Sequence, residues 1–98
     1  MHVASLRLEL HLPGVHSLKQ KRAVLQPILE GARRRYAVAA AEVDYQDLWQ
    51  RAALGMAVVS NSPGHAREVI DAAERFVWSF PEVDVVATHR GWADEEGG

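Results

Sequence analysis

Six basic side chains lie within twenty residues near the start of the chain. They are Lys19, Lys21, Arg22, Arg33, Arg34 and Arg35. Between Ser17 and Tyr36 the only acid is Glu30, so this segment carries a local charge of +5 (six basic residues minus one acid). The rest of the chain carries five basic and twelve acidic residues, a charge of −7. Such asymmetry predicts a surface for a polyanion, because Lys and Arg neutralise phosphates without reading sequence.

The same basic cluster also has a purely structural interpretation. Arg33, Arg34 and Arg35 come at the end of a predicted helix, where cations stabilise the helix dipole. The remaining cations would then be part of a solvated helix face. Sequence-specific RNA readout is not indicated, since neither an RRM aromatic signature nor a KH-type Gly-x-x-Gly loop is present. Any RNA contact is therefore expected to follow backbone and shape, as on a folded ribosomal RNA or ribosomal subunit.

Catalytic chemistry finds little support. A loop at 13–17 precedes the first helix, whose N-terminus could bind an anion beside Lys19 and Arg22, as in acylphosphatase-type enzymes. The glycine-rich Val-Gln-Gly-Val core of that enzyme class is absent, and no catalytic residue can be assigned. The chain has no cysteine, and its five histidines lack metal-ligand spacing. We expect no metal and no cofactor.

The elements that position these side chains follow from hydrophobic periodicity. Val3 to Leu12 alternates strictly and predicts a strand. A helix capped by Ser17 follows, with Pro27 predicting a kink or a brief break. Later segments predict a strand at 37–44, a strand at 49–60, a helix capped by Ser62 and a fourth strand from Val83. Residues 91–98 are acidic and end in glycine, which predicts a flexible tail.

The order β-α-β-β-α-β predicts one α+β domain of ferredoxin-like architecture spanning residues 1–90. Its four-stranded antiparallel sheet would have the order 4-1-3-2, with both helices on one face. The opposite face would be open and would carry a set of mostly polar side chains: Arg7, Glu9, His11, Trp49 and Arg51. Because the third strand is apolar on both sides, we expect this face to be covered, and a symmetric homodimer is one solution.

Three segments also resemble a known family. Leu8–Gly14, Ser17–Arg22 and Ala41–Arg51, with Ser60-Asn61 after them, are similar to blocks of the YlxP-like family of small bacterial proteins, a family of unknown function. The resemblance implies a ferredoxin-like fold and a loose association with translation and ribosome maturation, with no established reaction or catalytic residues. Family members usually have a polar or charged residue where Pro27 stands. No apolar run approaches the roughly 20 residues needed to span a bilayer, and no signal peptide is evident, so a cytoplasmic protein without membrane contact is expected.

Overall fold

A computed structural model describes residues 1–95 and contains six elements. In chain order they are β1 (His2–His11), α1 (Leu18–Tyr36), β2 (Ala39–Asp44), β3 (Arg51–Ser60), α2 (Pro63–Trp78) and β4 (Asp84–Asp94). The strands form one sheet in the order β2-β3-β1-β4, and every neighbouring pair is antiparallel. This confirms the predicted ferredoxin-like α+β fold.

The central strand β1 separates the two faces of the sheet. Ala4, Leu6, Leu8 and Leu10 are buried and pack under the two helices. The alternate side chains of β1 point to the face that carries no helix, which we call the open face. β1 pairs with β3 along its whole length, from His2 opposite Ser60 to His11 opposite Arg51. The alternation of the sequence therefore sorts side chains between core and open face.

Helix α1 begins where its cap was predicted and continues without a break. Ser17 Oγ accepts a hydrogen bond from the Gln20 amide at 3.1 Å. The break expected at Pro27 is not observed, and α1 is one helix of 19 residues. Pro27 and Ala23, one turn back, are both exposed. The missing amide therefore costs a hydrogen bond on the wet side of the helix, where water can replace it.

The end of α1 shifts the start of the second strand. Ala37 has a φ of 54° and closes the helix in the left-handed conformation, so β2 begins at Ala39 and not at residue 37. Likewise β3 begins at Arg51, and Trp49 belongs to the loop before it. In α2, Ser62 Oγ accepts a hydrogen bond from the His65 amide at 3.3 Å and Pro63 is the first helical residue, as predicted.

Strand β4 is longer than the sequence suggested. Residues 91–94, predicted to be part of a flexible acidic tail, pair with β1 down to Asp94 opposite His2, so the predicted boundary at residue 90 lies inside a strand. Beyond the strand the Glu95 amide donates to the Met1 carbonyl at 2.9 Å. The acidic composition of residues 91–94 predicts a tail, whereas the register with β1 shows that they belong to a strand. The remaining tail residues, 96–98, lie outside the described part of the chain.

The two helices cover β1 and β3 more fully than they cover β4. Phe76 of α2 lies against Tyr36 of α1, with ring centroids 5.6 Å apart, and its other neighbour Phe80 is 5.0 Å away. Arg90 of β4 is joined to α2 by ion pairs with Asp71 and Glu74. No helix within residues 1–95 is both long and apolar enough to cross a bilayer.

Candidate nucleic-acid surface and the open sheet face

Lys21, one of the six predicted phosphate contacts, is not available to a partner. It is only 2% exposed, and its Nζ donates to the carbonyls of Tyr45 and Leu48, each at 2.7 Å. The same Nζ lies 2.7 Å from Glu42 Oε2, which takes no hydrogen bond of acceptable geometry, so this third contact is electrostatic. Lys21 therefore fixes the β2–β3 loop against α1, and its prediction as a nucleic-acid contact is wrong.

Arg33 and Arg35 are exposed but have structural contacts as well. Arg33 donates to the Ala40 carbonyl on the outer edge of β2, from Nε at 3.1 Å and from Nη2 at 2.5 Å. The Arg35 guanidinium lies 5.2 Å from the centre of the Phe76 ring, in cation–π range. Neither guanidinium is within ion-pair distance of a carboxylate among residues 1–95. The charges of both side chains are therefore not neutralised by a carboxylate, although Arg33 is hydrogen-bonded to the edge strand β2.

Lys19, Arg22 and Arg34 are the free cations of the cluster in the described chain. All three are exposed, and none has a hydrogen bond to another side chain or an ion pair within residues 1–95. Together with Arg33 they fall within about 120° of the helix circumference at about 100° per residue. Arg22 and Arg33 are separated by about 16 Å along the helix axis. The cations thus lie on one side of the helix as two pairs with Gln26 and Glu30 between them, and we call this set the basic stripe: Lys19, Arg22, Arg33 and Arg34.

A groove lies beside the basic stripe, between α1 and the edge strand β2. It has a volume of about 310 Å³, and its lining includes Arg22, Gln26, Arg33 and Glu42. Glu30 lies at the same groove, and its Oε1 accepts a hydrogen bond from Gln26 Nε2 at 3.0 Å. A polyanion on the stripe would therefore lie near the carboxylate of Glu30, whose charge is not neutralised because its hydrogen-bond partner is the neutral amide of Gln26.

Four of the five residues predicted on the open face do lie together, at one end of it. Arg7 Nη2 is 3.2 Å from Asp44 Oδ2 and 3.6 Å from Glu9 Oε1. His11 and Arg51 are register partners at the same end. The backbone amide of Tyr45 and then the Arg7 guanidinium hold the pKa of the Asp44 carboxyl below its usual range. This end of the face is therefore an internally paired ionic cluster.

Tyr45 completes that cluster and was missed by sequence reasoning. Its hydroxyl donates to Glu9 Oε1 at 3.1 Å, and the Arg51 guanidinium lies 4.2 Å from the centre of its ring. Tyr45 has a φ of 61°, which turns the chain back across the end of the sheet. Ala53, the register partner of Glu9, is fully buried although it faces away from the helices. The turn residues after Asp44 were a signal for a loop, but not for its direction.

Trp49 does not belong to the open face. It is 51% exposed in the loop before β3, where it lines a surface hollow with His16, Leu48 and Arg51. The predicted strand was two residues too long at this end, so Trp49 is not part of the sheet. The backbone carbonyls bound by Lys21 come from this loop, so the loop that carries Trp49 is held in place by Lys21.

The middle of the open face is a shallow groove of about 550 Å³. Its floor consists of small residues from all four strands: Ser5, Ala39, Ala41, Gly55, Ala57 and Gly91. Val43 lies over Gly55, where an added Cβ would come within 2.8 Å of Val43 Cγ1. Val59, further along β3, is 63% exposed. Apolar surface on this face thus remains uncovered in the single chain.

The N-terminus of α1 is the anion position of the acylphosphatase-type alternative. Its Gln20 amide is taken by the Ser17 hydroxyl, and the His16 amide donates to Gln20 Oε1 at 2.7 Å. Two amides that would face an anion therefore already have acceptors. Within residues 1–95 no group of three His, Asp or Glu side chains is arranged to hold a metal ion.

Sequence comparison places this geometry in a family. Residues 3–90 match the family described as "Protein of unknown function (DUF503)". The chain is also 40% identical over 76 residues to the "Uncharacterized protein YlxP" of Bacillus subtilis (strain 168), covering 78% of this chain and 83% of the relative. The matched residues 3–90 include both helices and most of the sheet. The chain belongs to the DUF503 family of YlxP-like proteins, whose function is unknown.

Proposed function

We propose that the protein binds RNA in the cytoplasm through the basic stripe of α1, by contacts to phosphates and without catalysis. One observation supports this most directly. Arg7, Lys21 and Arg90 are each within 4.0 Å of a carboxylate, whereas no side chain of the basic stripe has such a partner among residues 1–95. Outside α1, Arg51, Arg67 and Arg75 also lack such a partner in the described chain, so the support comes from four unpaired cations that lie on one side of a single helix.

The form of the stripe favours shape recognition. From Lys19 to Arg34 its cations are spread along about 22 Å of one helix, which suits several phosphates held at fixed positions. No aromatic side chain stands among the exposed residues of α1 on which an unpaired base could stack. A folded RNA such as ribosomal RNA, alone or in a ribosomal subunit, presents phosphates in that way. The expected ligand is therefore a structured RNA with little sequence preference.

The salt dependence of binding tests the proposal quantitatively. If the four cations of the stripe each displace one counterion, the logarithm of the binding constant should fall against the logarithm of salt with a slope of about −3 to −4. Affinity for ribosomal RNA should then drop by about 60- to 250-fold between 50 and 200 mM salt. Fluorescence anisotropy with a labelled ribosomal RNA fragment measures this slope directly.

Charge reversal provides the matched comparison. Arg22→Glu combined with Arg34→Glu removes two free cations of the stripe and should reduce the slope by about two and weaken binding at least tenfold. Arg75→Glu on α2 is the control, because Arg75 is also exposed and has no ion pair within residues 1–95. Because Arg75→Glu changes the charge by −2 and the double reversal by −4, only net charge matters if Arg75→Glu lowers the logarithm of the binding constant by about half as much. In that case, or if ribosomal RNA and ribosomal subunits show no binding, the proposal fails.

A further inference from the structure

We propose that the open face is a pairing surface for a second copy of this chain, related to the first by a two-fold axis. The face has no helix over it, and its exposed apolar side chains include Val43 and Val59. The groove lined by small residues lies on this face and not on the side of the helices. A partner whose side chains are also small could approach closely enough to bury the apolar surface of the open face.

The charges of the open face permit a copy of itself. Arg7 and Arg51 are matched by Glu9 and Asp44, and Arg7 is paired with both carboxylates within one chain. The His11 imidazole lies 3.7 Å from Asp84 at the same end. Two such faces would meet with little net charge, since Glu9 and Asp44 lie beside Arg7 and Asp84 lies beside the His11 imidazole. The basic stripe, by contrast, would repel its own copy, so α1 should lie on the outside of the pair.

The size of the face matches what a dimer needs. Strands of about ten residues at about 3.4 Å per residue give a length of about 34 Å. Four strands at about 4.8 Å give a width of about 19 Å, and because β2 has only six residues the projected area is about 590 Å². The accessible area of a face covered by side chains exceeds its projection, so it approaches the roughly 800 Å² that each partner buries in a standard interface.

A second copy fits this face better than RNA does. The face carries no excess positive charge, and among residues 1–95 Tyr45 is the aromatic ring at this face, already bound to Glu9 and Arg51. Single-stranded RNA is held by free cations and stacking rings. The cations that line the groove already have partners, since Arg7 lies beside Glu9 and Asp44, and Arg90 beside Asp71 and Glu74. This inference does not depend on the RNA proposal, since it concerns the opposite side of the molecule.

Oligomeric state under mutation is the test. The chain has a mass of 10.9 kDa, and light scattering after size exclusion should give about twice that mass at about 100 µM protein. Val59→Glu should raise the dissociation constant of the pair at least about 100-fold, because two like charges would be buried opposite apolar surface. Ala57→Arg, which fills the groove floor, is a second variant in case the first does not fold. Trp78→Glu is the control, because Trp78 is 57% exposed on the helix side.

The outcomes separate the alternatives. Monomeric Val59→Glu or Ala57→Arg with native far-UV circular dichroism, beside a dimeric Trp78→Glu, supports the pairing surface. A wild-type chain that is monomeric at every concentration overturns it. So does a dimer that survives both open-face variants, since its interface must then be elsewhere. If Val59→Glu weakens RNA binding as strongly as Arg22→Glu with Arg34→Glu, the open face is a nucleic-acid surface and pairing is likewise refuted.

Discussion

Replacing Lys21 by Met is predicted to destabilise the protein strongly, although Lys21 stands in a helix full of replaceable cations. The substitution preserves most of the side-chain volume but removes three contacts of Nζ at 2.7 Å, with Tyr45 O, Leu48 O and Glu42 Oε2. Hydrogen bonds that involve a charged group contribute about 1.5–3 kcal/mol each. Breaking one side of a buried charge pair costs about 3–5 kcal/mol.

The contributions of Lys21 do not simply add. Glu42 keeps 23% of its side chain exposed and can recover some hydration, so we expect a total loss of about 3–5 kcal/mol. A domain of this size has about 5–15 kcal/mol of stability in all. With a slope of about 2 kcal/mol per molar urea, the midpoint of unfolding should fall by about 1.5–2.5 M. Amide exchange should also accelerate at Leu48, whose N–H donates to the Tyr45 carbonyl at 3.0 Å.

Lys19→Met is the matched control for Lys21→Met. Lys19 is exposed at the start of the same helix, so its loss should change stability by no more than about 0.5 kcal/mol. A double-mutant cycle with Glu42→Gln should give a coupling energy of about 1–3 kcal/mol, since the two side chains form one buried pair. The reasoning is refuted if Lys21→Met costs less than about 1 kcal/mol, or if the two lysine variants are equally destabilised.

Two further predictions concern helix contact and acid stability. Gly31→Ala should lower the free energy of unfolding in urea by about 1–2 kcal/mol, although alanine gains about 1 kcal/mol in helix propensity, because the new Cβ would lie 2.5 Å from Phe76 Cζ. Adding Phe76→Leu should recover part of this loss. If Gly31→Ala leaves the stability unchanged, the close packing of Phe76 on Gly31 is contradicted. Asp44 should titrate below its ordinary 3.8 in NMR, because the Tyr45 amide and then the Arg7 guanidinium favour its charged form, which lowers the folded pKa. The contribution of Asp44 to stability is present above its unfolded pKa and is lost as the pH falls through its lowered folded pKa. Arg7→Ala should therefore move the titration midpoint of Asp44 upward, without reaching 3.8.

The fold could be predicted because local signals agreed with each other. Strict alternation in β1, the caps Ser17 and Ser62, and the proline after Ser62 each indicate one element and its boundary. What failed was pairing between distant segments. The last four residues of β4 look like a polar tail until they are placed opposite the start of β1, and no local pattern carries that register.

The candidate site was predictable as a surface but not residue by residue. Lys21 could have been identified as buried, because at about 100° per residue it falls on the same side of α1 as Leu25 and Ile28. A lysine in an apolar stripe needs acceptors, and those come from the β2–β3 loop, which sequence alone does not bring near. The direction of that loop also decides that Tyr45, and not Trp49, joins the open face.

The pairing of β1 with the end of β4 leaves the two ends of the described chain side by side. The Met1 ammonium nitrogen lies 3.1 Å from the Glu95 carbonyl oxygen. A backbone ring closed at this point would need only a short connection and would not disturb the sheet. Since a covalent loop of about 100 residues removes about 4–5 kcal/mol of chain entropy from the unfolded state in the cross-link treatment, head-to-tail cyclisation is a direct route to a more heat-resistant form.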